Sequence, residues 1–181
     1  TWSLANAILG EESKNSMSVS DDGNVVYATA YGDTDDPCAL YAYNSADGSL
    51  IWTAAEGDVF DSGEQFRYGS ITTGKSGTIY IGTTIGNIYA INTDGTLKWK
   101  KEPDNKDDII ATVVSDKDEN IYFANRDMWA YSYDINGDLR WSININKGKS
   151  AGYICSSPAI SESKGVIYFS GKGDSDSDNR F

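Results

Sequence analysis

The stretch Tyr41-Ala42-Tyr43-Asn44-Ser45-Ala46-Asp47-Gly48-Ser49-Leu50-Ile51-Trp52 decides the fold, because the chain writes it three times. Tyr89-Ala90-Ile91-Asn92 leads through Asp94-Gly95 to Leu97-Lys98-Trp99. Tyr131-Ser132-Tyr133-Asp134 leads through Asn136-Gly137 to Leu139-Arg140-Trp141. The three Trp stand 47 and 42 positions apart. Upstream of each copy lies a second shared run, VVYATA, TIYIGT or NIYFAN, and a fourth such run, VIYFSG, follows near the end; their Tyr are at 27, 80, 122 and 168. At the offset of 141 between Tyr27 and Tyr168, Gly32 meets Gly173, Asp33 meets Asp174 and Asp35 meets Asp176. That interval holds three units of about 47 residues, and a fixed period of this length marks an array of stacked units, none able to bury its apolar faces alone.

Each unit reads as four short strands. The first is an apolar or Ser/Thr-rich run, at 16–20, 69–73, 110–115 and 156–161. A tight polar turn such as 21–24 or 74–77 follows. The VVYATA-like run is the second strand, Tyr-Ala-x-Asn the third and Leu-x-Trp the fourth. Asp47-Gly48, Asp94-Gly95 and Asn136-Gly137 read as type I′ hairpin turns, with positive φ at both central residues. No segment sustains a 3.6-residue apolar period, so little or no α-helix is expected. Val166-Ile167-Tyr168-Phe169 has no polar side and calls for cover on both faces. Four-stranded units of this length, each covering the next, describe an all-β chain: a β-propeller of four-stranded antiparallel blades. The repeats fall at about 5–52, 53–99, 100–141 and 142–181, the last incomplete. Thr1-Trp2 reads as the tail of another Gly-x-Leu-x-Trp, and Phe181 aligns with Leu40, where a third strand begins. The expectation is therefore a region of a larger ring, of about six to eight blades.

The pattern Ala42, Asn44, Gly48, Trp52 closely resembles the tryptophan-docking motif of pyrroloquinoline-quinone-type propeller repeats. Ala90, Asn92, Gly95 and Trp99 match with one residue fewer in the turn; Ser132, Asp134, Gly137 and Trp141 share that turn with Ser for Ala and Asp for Asn. The resemblance implies that each Trp clamps the adjacent blade, and Gly leaves room for a ring to lie on backbone. A sugar-binding platform is the other use of such rings. The family includes quinone dehydrogenases, outer-membrane assembly lipoproteins and surface proteins. Its dehydrogenases also use an adjacent Cys pair, a base Asp and calcium ligands, whereas Cys38 and Cys155 here stand far apart in sequence. In this fold Cys38 belongs to a loop and Cys155 to an inner strand, too distant radially for a disulfide.

Composition narrows the function. The 181 residues carry 15 Lys and Arg against 27 Asp and Glu, a net charge of −12, and no His. Such acidity opposes nucleic acid and anionic membrane as partners. Without His there is no Ser-His-Asp or Cys-His catalysis and no His-ligated zinc. No apolar run approaches the ~20 residues that span a bilayer. The expected function is a noncatalytic binding or scaffold module, extracytoplasmic (periplasmic, cell-surface or secreted), with no bound cofactor. The alternatives are a fragment of a quinone-dependent dehydrogenase, carrying the quinone and calcium, and a glycan-binding module. Asp174, Asp176 and Asp178 have the spacing of the first half of a calcium loop. Long connectors between blades should crowd one face of the disc with the second-to-third-strand loops. Phe60, Gln65, Arg67, Tyr68 and Tyr153 mix aromatic and hydrogen-bonding groups there, so this is the expected face for a protein or glycan partner.

Overall fold

The computed structural model describes residues 17–31, 37–67, 70–146 and 156–171. β1 (Ser18–Val19), β2 (Val25–Ala30), β3 (Ala39–Asn44) and β4 (Leu50–Ala55) form one antiparallel sheet in chain order. β5 (Thr72–Thr73), β6 (Ile79–Gly82), β7 (Ile88–Ile91) and β8 (Leu97–Lys101) repeat it. So do β9 (Val114–Ser115), β10 (Ile121–Ala124), β11 (Trp129–Tyr133) and β12 (Leu139–Asn144). β13 (Ala159–Ser161) and β14 (Val166–Tyr168) make a fourth, two-stranded sheet. One 3₁₀ turn, Glu162–Lys164, is the only helical element among the described residues. The inner strands β1, β5 and β9 lie side by side, so the sheets stack as consecutive blades.

Period-2 alternation divides each middle strand between two neighbours. Ile79 and Ile81 of β6, with Tyr89 and Ile91 of β7, pack toward Tyr27, Leu40 and Ala42 of the first blade. Tyr80, Ile88 and Ala90, on the opposite face, pack with Ile121, Phe123, Tyr131 and Tyr133 of the third. Every residue of β6, β7 and β10 is therefore buried, which is why those runs carry no polar face. β14 departs from this expectation. Val166 and Tyr168 are 38% and 55% exposed, because no described sheet covers the far side of the fourth blade.

The inner strands are shorter than their sequence runs, two or three residues each. The hairpin turns also differ from expectation. Positive φ occurs at Gly48, Gly95 and Gly137 but not at the Asp or Asn before them. In the second and third blades the glycine N–H donates back three residues, Gly95 to Asn92 and Gly137 to Asp134. Asn92 and Asp134 then donate onward to the carbonyls of Thr96 and Asp138. This is a type I turn closed by a left-handed residue, not type I′, and only the last position needs glycine. In the first blade the turn is one residue longer, with Gly48 donating to Asn44.

A β-bulge recurs at one place in each complete blade. Trp52 pairs with Ala42 while Leu50 pairs with Tyr43, so Ile51 is an extra residue in β4. Lys98 and Arg140 are the extra residues before Trp99 and Trp141. A bulge re-aims the side chains beside it. Here it leaves Leu50, Leu97 and Leu139 outward, at 55%, 44% and 51% exposure, while each Trp is half-buried.

Candidate partner-binding face

The joint between blades orients the connectors, so the site begins with the three Trp. Trp52 lies against the turn of the second blade. A Cβ on Gly95 would stand 2.8 Å from both Cδ2 and Cε3 of that ring. The indole Nε1–H donates to the Thr93 carbonyl at 2.9 Å. Trp99 repeats this on the third blade: a Cβ on Gly137 would be 2.9 Å from its Cδ2, and Nε1–H donates to the Ile135 carbonyl at 2.9 Å. Within its own blade each Trp is tilted against the second-strand Tyr: Tyr27–Trp52, Tyr80–Trp99 and Tyr122–Trp141, with centroids 5.9, 5.9 and 6.0 Å apart. Trp141 and, from the fourth unit, Phe169 both pack against the cluster of Ala124 and Ala130. One ring face of Trp52 and of Trp99 is thus covered by the next blade and withdrawn from any sugar.

A second strut crosses from the third blade to the second. Glu119 holds φ 59 at the position filled by Gly23, Gly77 and Gly165 in the other three inner hairpins. Left-handed backbone costs a non-glycine residue roughly 1–2 kcal/mol. The offset is its buried carboxylate, which accepts from the Ser76 N–H, from Ser76 Oγ at 2.7 Å and from Tyr80 Oη at 3.5 Å. Burial, then the Glu119 charge, push the Tyr80 phenol up to about 12.

The connectors lie on the side where the second-to-third-strand loops emerge. Connector one, after β4, bonds by main chain to both flanking blades: Glu56 N–H to Cys38, Phe66 N–H to Tyr31, and Thr84 N–H back to Gln65. Connector two, after β8, does the same through Ile109 N–H to Thr83 and Arg126 N–H to Asp108. Its backbone presses on Gly86, where a Cβ would meet Asp107 O at 2.8 Å. The described parts of these two connectors are tied down at both edges.

Of the residues expected on this face, Gln65 and Arg67 meet at Tyr31. The Tyr31 hydroxyl donates to Gln65 Oε1 at 3.2 Å and accepts from Arg67 Nη2, and the guanidinium stands 5.3 Å over the Tyr31 ring. Phe60 is a correction. It is 2% exposed and packs edge-on against Phe66 and Tyr89, with centroids 4.8 and 5.0 Å away, so it is core under the connector. Tyr68 and Tyr153 lie outside the described residues, as do Asp174, Asp176, Asp178 and Cys155. Around the connector tips run exposed charges: Lys100 pairs with Asp61 and Glu102, and Lys106 with Glu102.

Sequence reading missed Glu64. It is 1% exposed, and its Oε1 accepts from Asn87 Nδ2 and from Tyr89 Oη at 2.8 Å. It lies in connector one, where no strand pattern marks it as interior. Burial, with the Glu56 and Glu64 charges, pushes the Cys38 thiol up to about 12, so this cysteine is an inert core group. Among the described residues no three His, Cys, Asp or Glu side chains gather as a metal centre. The described residues do not bring together the paired thiols that a quinone site of this family uses.

A family model described as outer membrane protein assembly factor BamB matches residues 38–175, about three quarters of the chain. The crystal structure of BamB from Moraxella catarrhalis is similar at 14% identity with a TM-score of 0.66, over 87% of this chain and 43% of that one. A chain in the crystal structure of a mitotic checkpoint complex is similar at 15% identity with a TM-score of 0.58, over 78% of this chain and 38% of that one. This chain therefore spans less than half the length of either. No curated protein sequence matches it.

Proposed function

Because the chain belongs to the family described as outer membrane protein assembly factor BamB, a family of quinone-type propeller repeats, we propose that it is a noncatalytic platform that holds a protein partner. Its place is the cell envelope or the outside of the cell. Acidity and the family description support that location, and no helix among the described residues is long and apolar enough to cross a membrane. One observation carries the reading: connectors one and two are fixed by main-chain hydrogen bonds to the blades on either side. A surface held in place before contact loses little conformational entropy on binding, and affinity is gained by that saving. The polar, charged tips suit a protein surface of mixed character.

The test is site-specific photo-crosslinking in the native host. A photoreactive amino acid replaces Arg67, Asp104 or Arg126 on the connector side, or Thr53 or Ser142 on outer strands. The platform reading expects a discrete protein adduct from the connector positions. Adducts confined to the outer-strand positions, or none at any position, reject it.

A further inference from the structure

The second and third blades solve one local problem in two ways. Beneath connector two, Asn125 Nδ2 and Tyr131 Oη both donate to one neutral acceptor, the main-chain carbonyl of Asn105. Beneath connector one, Asn87 Nδ2 and Tyr89 Oη, the latter the repeat equivalent of Tyr131, both donate to Glu64 Oε1. A carbonyl suffices for the two donors, so the carboxyl group brings a surplus oxygen, and that oxygen is enclosed. Glu64 and Asn87 are each 1% exposed. Glu64 Oε2 and Asn87 Oδ1 are buried acceptors without a hydrogen-bond partner among the described residues. Among the described residues the ion pairs of this region involve Asp61, Glu102, Lys100 and Lys106, and none reaches Glu64. A buried carboxylate facing only neutral donors is costly, and burial of charge is offset by a counter-charge or a coordinated ion.

We propose that Glu64 Oε2 and Asn87 Oδ1 hold a hard, oxygen-seeking cation, of the calcium or sodium kind, between connector one and the second blade. The donor set fits this class. A carboxylate and an amide oxygen are ligands of hard cations, and such ions complete their shells with main-chain carbonyls and water. That accords with there being no cluster of three acidic or thiol side chains among the described residues. Among the described residues, softer, thiolate-seeking metals find no partner, since the Cys38 thiol is pushed up to about 12 in the core. The ion would pin connector one, which contributes Gln65 and Arg67 to the outer face. The inference stands apart from the platform reading and does not depend on it.

The experiment uses the whole chain, stripped of metal ions. Thermal unfolding is followed while calcium, magnesium, sodium or potassium is titrated, and terbium luminescence excited through nearby tyrosine reports the site directly. The expected result is saturable one-to-one binding of calcium or sodium, with a midpoint that rises with the logarithm of cation concentration. Glu64→Gln keeps the shape and the Oε1 acceptor and should weaken binding at least tenfold. The combined Asp174→Asn, Asp176→Asn and Asp178→Asn variant should bind as the parent does. If Glu64→Gln does not fold, Asn87→Ala keeps the carboxylate and should also weaken binding about tenfold. A midpoint indifferent to all four cations overturns the proposal. So does binding that survives Glu64→Gln or Asn87→Ala unchanged, or that is lost in the triple aspartate variant.

Discussion

Gly95→Ala separates the contribution of the blade joint from that of the turn. Gly95 sits at φ +87, and an added Cβ would meet two ring atoms of Trp52 at 2.8 Å. Gly23 supplies the control: it sits at φ +75, and an added Cβ there meets nothing within 4 Å. Both alanines carry the left-handed backbone cost of roughly 1–2 kcal/mol. Only Gly95→Ala must also move a ring whose Nε1 is tied to the Thr93 carbonyl. Overpacking costs about 1–3 kcal/mol. Loss of that hydrogen bond adds about 1 kcal/mol. Gly95→Ala should therefore lose about 2–4 kcal/mol more than Gly23→Ala, near 4–16 °C in melting temperature for a chain of this size. Urea unfolding with tryptophan fluorescence measures both, with m unchanged if the folded states stay compact. Equal losses for the two variants would refute the reasoning, because the Trp–Gly contact would then have no energetic weight.

Other outcomes follow from the same contacts. Trp99→Ala should cost about 3 kcal/mol, the low end for core aromatics since the ring is half-buried, and Trp99→Phe about 1 kcal/mol through the bond to Ile135; chemical denaturation reads both. Glu119→Ala keeps the left-handed strain and loses the carboxylate's bonds, so it should cost about 2–4 kcal/mol, whereas Glu119→Gly should recover about 1 kcal/mol of that; the opposite ranking of alanine and glycine would show that the φ of 59 carries no strain. Alkali should unfold the chain. Cys38, Tyr80 and Tyr131 are each pushed up to about 12 by burial, from ordinary values of 9.0 for the thiol and 10.0 for the phenols. Between pH 9 and 12 the folded state then holds more protons than the unfolded one, so stability falls as pH rises; a urea midpoint constant from pH 8 to 11 would contradict this.

The architecture was legible because the repeat is written in residues with few alternative uses. Three Asp/Asn-Gly-x-Leu-x-Trp copies located every outer hairpin, and the all-apolar runs at β6 and β10 announced sheets covered twice. The turn type was misread because Asp-Gly is compatible with two geometries. The side chain of the turn's first residue decides between them: Asp134 Oδ1 accepts from the Asn136 and Asp138 N–H groups, which holds a type I turn. Phe60 was misplaced because a connector without strand pattern gives no sign of which residues turn inward. Glu64 was missed for the opposite reason, since an acid in a loop ordinarily faces water, and only the neighbouring Asn87 and Tyr89 reveal it as interior. The bulges before the Trp were equally silent, because Ile51, Lys98 and Arg140 share no chemistry.

Trp52 and Trp99 each grip the following blade, and that joint sets where the connectors lie. Proton NMR tests this without perturbing the chain. The ring protons of Trp52 should show nuclear Overhauser contacts to the α-protons of Gly95, and those of Trp99 to Gly137, with both glycines shifted upfield by the ring current. Contacts running instead from Trp52 to Gly48 and from Trp99 to Gly95, each within its own blade, would contradict the account.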